Sequence, residues 1–292
     1  MIERHPTQSL PRLEKQLEQS LHRLRHELSA LTHRLNVSPE YMGMLSLFWR
    51  RQAIVAAAAG RPPALVRQLL EYHCAFGTSH FAFAAGLSNT ALLTLEGRVL
   101  NVRNRPDLVK ANRDISFWKL DLASAMILRD AARQGQLLEA APGVYGPGFA
   151  QLPTQERLEP LFLSALAGGK SPQAEAFLQQ WVHQEITRKT AARSQPKLPL
   201  LEVWLAVLGK NREAFNTRLE AALKAHHTYW SQQVRGGRDL EGLVALPLVH
   251  ACAWAHDHGL SLEVDSDYLP PYLIAHKTER KPRVRRRAVG TS

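Results

Sequence analysis

Leucine returns every three or four residues from Leu10 to Leu35, at Leu13, Leu17, Leu21, Leu24, Leu28 and Leu31, with Lys, Glu, Gln, His and Arg filling the places between. Only an α-helix gathers such positions into one narrow stripe, because its 3.6-residue turn brings i+3 and i+4 back to the same face. The pattern predicts one helix of several turns, closed by Asn36 and Pro39. A stripe this narrow serves either a coiled-coil homodimer through the N-terminal helix or a first helix laid against its own chain. The second reading is adopted, since many globular helices of this length carry such a stripe.

Apolar helical patterns continue along the chain, punctuated by Gly and Pro. Ser38 as N-cap, with Pro39 and Glu40, opens a second helix through Met44, Leu47 and Ile54 to the alanines before Gly60. Pro62-Pro63 starts a third, which blurs after Phe76-Gly77. Ala91 to Val102 reads as a hairpin turning at Glu96-Gly97. A helix from Ser116 to Gly135 follows, then a Pro- and Gly-rich stretch at 141–153 that reads as a seam between two halves. Beyond it, helices near Thr154–Ala167, from Ser171, over Leu198–Leu208 and from Asn211 follow the order of stacked helical hairpins, without a strict repeat period. The fold class is all-α: a helical bundle or stacked hairpins with at most one small β-ribbon. Residues 1–37 form the N-terminal helix, 38–275 the main helical domain and 276–292 a basic flexible tail.

At 292 residues the chain has ample sequence for a buried core. Its net charge of +11 suggests nucleic acid until it is mapped: Lys277, Arg280, Lys281, Arg283, Arg285, Arg286 and Arg287 stand against Glu279 alone, so over half of it lies in the tail. No aromatic residue is interleaved with those arginines, which disfavours base stacking. A nucleic-acid-binding or regulatory role using the tail is the alternative function, and its signature is salt-dependent binding. No apolar run approaches the roughly 20 residues of a membrane span, and the N-terminus lacks a secretory core, which leads to the cytoplasm.

The residues offer little chemistry. Cys74 and Cys252 are too few and too far apart for a disulfide framework and read as buried thiols. His22 and His26 have a zinc-compatible spacing but no accompanying carboxylate motif. Adjacent His226 and His227 diverge on a helix, while His250, His256 and His258 frame Asp257 near a helix end, where they suit capping. Phosphate loop and nucleophile elbow are both lacking. The expectation is no catalysis, no metal and no cofactor.

The region before the tail is the least generic. Asp239 to Leu248 leads into Val249–His258, an apolar helix ending at Gly259, and Asp265-Ser266-Asp267 then runs into Tyr268-Leu269-Pro270. Upstream stand Phe117-Trp118 followed by Arg129-Asp130, and Trp204 followed by a Gly-Lys-Asn turn and a helix reaching Tyr229-Trp230. Over roughly residues 110 to 275 this order resembles the family 49 immunity proteins of bacterial polymorphic-toxin systems. The resemblance implies a helical scaffold that binds a cognate toxin domain and blocks its active site or substrate access. Arg235 and Arg238, flanking two glycines in a loop, together with Asp265, Asp267 and Tyr268, are the candidate toxin contacts; Trp118, Arg129, Asp130, Trp204, Trp230, Trp254 and Pro270 are structural motif residues. A basic chain suits a toxin whose contact surface is acidic, or an interface that is mainly apolar and hydrogen-bonded.

Overall fold

The computed structural model describes residues 1–4, 10–105, 114–187, 197–233 and 240–275. The leucine stripe forms two helices rather than one: α1 (Leu10–His26) and α2 (Leu28–Val37). Glu27 between them adopts φ −115° and ψ 21°, although its N–H still donates to the Arg23 carbonyl. This bend lets α1 lie on α3 (Tyr41–Ala58) while α2 meets the hairpin, which one straight rod cannot do. Leu17, Leu21, Leu24, Leu28 and Leu35 are buried in the chain's own core, and Leu10, Leu13 and Leu31 pack partly buried against it. Ser38 is the C-cap of α2, its N–H bonded to the Arg34 carbonyl, and therefore does not start α3; Glu40 holds that place.

Along α3 packs α4 (Pro63–Ala84), which runs unbroken through Phe76-Gly77. Strands β1 (Thr90–Leu95) and β2 (Arg98–Arg103) pair antiparallel, with Leu93 opposite Leu100 and Thr94 opposite Val99. Glu96 (φ 48°) and Gly97 (φ 73°) are both left-handed, as a two-residue loop matched to strand twist requires. Leu93, Leu95, Leu100 and Val102 face the core.

The expected helix from Ser116 to Gly135 is two helices, α5 (Ile115–Ile127) and α6 (Ala131–Tyr145), and Gly135 lies inside the second. Arg129 breaks the run at φ 57°, a region non-glycine residues seldom visit. Asp130 then caps α6, accepting the Arg133 N–H at 3.0 Å. The 141–153 stretch is partly the end of α6, and Tyr145 stacks on Phe149 and bonds Ser164 at 2.6 Å.

The second half comprises α7 (Thr154–Ala167), α8 (Ser171–Thr187), α9 (Leu198–Leu208), α10 (Arg212–Gln233), α11 (Leu246–Asp257) and the short α12 (Pro271–Ile274). Helices α7 with α8, and α9 with α10, pack as consecutive pairs. From Leu17 to Ile274 the buried apolar side chains form one continuous cluster. No described helix is long and apolar enough to cross a membrane.

Candidate functional site

Asp121 stands between Leu120 and Leu122 on apolar α5 and is buried. Gly77 on α4 makes the room: a Cβ there would lie 1.9 Å from Asp121 Oδ1. From α3, Ser46 Oγ donates to Asp121 Oδ1 at 2.8 Å and lies 2.7 Å from His73 Nδ1. His73 Nδ1 is 3.2 Å from the same carboxylate oxygen, and its Nε2 is 3.0 Å from Ser124 Oγ. Beside them Arg50, itself buried, donates to both oxygens of Glu241 at 2.5 Å, tying α3 to the turn at Leu240–Gly242.

Asp–His–Ser is the order of a nucleophilic triad, but the electrostatics differ from one. Burial, helped by the charge of Arg50, holds His73 at about 3. Burial also pushes the Asp121 carboxyl well above the usual carboxylate range. His73 is therefore uncharged at neutral pH, and an imidazole so weakly basic is a poor general base. What the cluster does is lock α3, α4 and α5 together through a hydrogen-bonded polar core.

Ser124 and Arg50 also line a cavity of about 70 Å³ with Lys119, Trp204 and His250. A second cavity of about 150 Å³, reaching Lys197 and His226, shares Glu159, Trp181, Leu200 and Pro247 with the first. Lys119 pairs with Glu159 at 2.6 Å across the wall. Burial and then the charge of Arg129 hold His250 at about 3. Trp204 meets its ring edge-on at 5.0 Å, and its Nε2 has no partner among the described residues. The chamber suits ordered water or a small polar group.

The motif residues named from sequence make contacts within the chain's own fold. Trp118 is buried and donates Nε1–H to the Leu137 carbonyl at 2.9 Å. Arg129 donates to Asp257 at 2.9 and 3.0 Å and to the carbonyls of Ile127, Ala253, Leu273 and Ile274, joining α5 to α11 and α12. Trp204 is buried, Trp230 is half-buried against Gly242, and Trp254 stacks on His258, whose Nδ1 caps the Trp254 carbonyl at 2.8 Å. Pro270 is buried at the N-cap of α12.

Of the candidate contacts, Asp265 and Asp267 are exposed, whereas Tyr268 is buried against His226 and offers no surface. The backbone there pairs with the N-terminus: Ile2 N–H donates to the Asp265 carbonyl at 2.9 Å and Asp267 N–H to Ile2 at 3.1 Å. Arg4 N–H also reaches the Asp267 carboxylate at 3.2 Å. Arg235, Arg238 and the basic tail lie outside the described residues. Both cysteines are buried, which raises their thiols. Among the described residues no cluster of three His, Cys, Asp or Glu side chains is arranged for a metal.

Sequence reasoning did not find the Ser46–His73–Asp121–Ser124 cluster. Its signals were a carboxylate in the middle of an apolar helix and a glycine in the middle of α4.

The sequence model of one protein family, described as Immunity protein 49, matches residues 57–273. No curated protein and no solved structure matches the chain. The match begins at the end of α3 and so takes in α4 and the hairpin, upstream of the motifs that suggested it. Spanning most of the length, it establishes that the chain belongs to the Immunity protein 49 family.

Proposed function

We propose that this protein neutralises a cognate antibacterial toxin by binding it and covering its active site or substrate path, in the cytoplasm of the cell that makes both. The observation carrying this reading is the family match over residues 57–273. The helical scaffold supports it: the triad-like constellation among the described residues is buried and its histidine too weakly basic to act as a base, which suits a protein that acts by occupancy rather than by chemistry. Exposed Asp265 and Asp267, with Arg235 and Arg238, are the charged residues proposed to face the toxin.

Co-expression with the toxin encoded beside it tests the reading. Cells survive only when both chains are made, and the two copurify. Continued killing with no complex ends the proposal.

A further inference from the structure

The two edges of the hairpin are unlike. Along β2, Arg98 and Arg103 stand at the ends, and the outward backbone is occupied: Asn36 Nδ2 donates to the Asn101 carbonyl at 3.1 Å, and Asn36 Oδ1 accepts the Arg103 N–H at 2.9 Å. Charges and side-chain covers are how sheets keep edges from pairing. β1 reads Thr90-Ala91-Leu92-Leu93-Thr94-Leu95, without charge or proline.

Across a two-residue loop Leu95 and Arg98 form the first hydrogen-bonded pair, so Leu93 and Ala91 also bond across the ribbon. Leu92 and Thr94 then turn their N–H and C=O away from β2, in the alternation that Asn36 marks on the other strand. Ser88 Oγ occupies the backbone of Thr90, at 3.2 Å from its N–H and 2.5 Å from its carbonyl. Among the described residues nothing bonds the outward groups of Leu92 and Thr94. Leu92 is 71% exposed, Val99 on the same face 62% and nearby Leu87 45%. Alongside, between β1, α4 and α6, runs an open groove of about 300 Å³ lined by Thr78, Ser79, Phe83, Gln136 and Glu139 among others.

We propose that β1 is the docking edge for the toxin: an extended segment of the toxin adds there as a third strand. This rests on the immunity reading and names the surface it uses. Backbone pairing to Leu92 and Thr94 supplies affinity, and alternate side chains supply specificity. One side chain, apolar, covers Leu92 and Val99; the next, a Lys or Arg, enters the groove toward Glu139, the single charged residue among the described ones lining it. A second copy of this chain would present an equally uncharged β1 and leave Glu139 unmatched, which favours a heterologous strand.

Thr94→Pro removes an N–H the ribbon does not use, and Leu92→Lys sets a charge on the edge. Each is expected to keep the melting temperature while weakening binding of the neighbouring toxin about 10- to 100-fold. Glu139→Lys should weaken it about tenfold. In the wild-type complex the Leu92 and Thr94 amides should exchange with solvent more slowly than in the free protein. If the wild type binds but the variants bind equally well and those amides exchange as before, the edge proposal falls and the immunity reading stands. A dimer lost in Leu92→Lys with unchanged toxin binding overturns it in favour of a second copy. If the wild type neither binds nor protects, both readings fall.

Discussion

His73 and His250 are equally buried and both held at about 3, yet they sit in opposite surroundings. His73 is bonded on both ring nitrogens, to Ser46 on α3 and Ser124 on α5. His250 has Trp204 at its edge, an unpartnered Nε2 and an adjoining cavity. Equal burial therefore conceals unequal roles: the surroundings of His73 are held by a hydrogen-bonded polar network, those of His250 by ring contact that leaves a polar atom unused.

Gly77→Ala attacks the first region most directly, since the new methyl would enter the space of the Asp121 carboxylate. Chemical denaturation should show a loss of about 4 kcal/mol, the size of the larger core disruptions; a loss below about 1 kcal/mol would mean that α4 and α5 separate freely. Next comes His73→Leu, which strips Ser124 Oγ of its partner, removes His73 from the Ser46–Asp121 pair and should cost about 3 kcal/mol. His250→Phe removes a group that contributes no bond at Nε2, so at neutral pH it should stay within about 1 kcal/mol of the parent. Equal losses for these two histidine variants would erase the distinction drawn between the regions.

The pH dependence sharpens it. A histidine at about 3 when folded and 6.5 when unfolded lets the unfolded chain bind a proton that the folded chain refuses, so stability falls as pH drops below 6.5. Asp121 works the other way: its raised value keeps a proton in the fold where the unfolded carboxyl, at 3.8, has lost it, so its contribution falls as pH rises above 3.8. Between 3.8 and 6.5 the raised Asp121 carboxyl opposes the two histidines, and His250 contributes up to about 1.4 kcal/mol per pH unit to the slope. Melting curves across that window should flatten in His250→Phe; an unchanged slope would assign the proton elsewhere.

Much of this fold is legible in the sequence because helices announce themselves locally. The leucine stripe, the Glu96-Gly97 turn, and the Gly breaks after α7 and α9 are set by residues within a turn or two of each other. The bend at Glu27 and the break at Arg129 are not, for tertiary contacts decide them: α2 reaches for the hairpin, and Arg129 holds its left-handed backbone through bonds to residues more than 120 positions later. The candidate site is harder still. Gly77 and Asp121 explain each other only once α4 and α5 touch, and the open edge of β1 is visible only beside the covered edge of β2. Asp265 and Asp267 suggested contact residues, but their backbone also anchors the N-terminus.

That anchorage orders events in time. Ile2 and Arg4 leave the ribosome well before their partners at Leu243, Asp265 and Asp267, which lie 239 or more positions later. Residues 1–4 cannot dock until that segment has been made, which makes this a late closure of the nascent chain. A bulky fusion at residue 1 burdens that closure, and a chain cut short before Asp265 leaves it nothing to close upon.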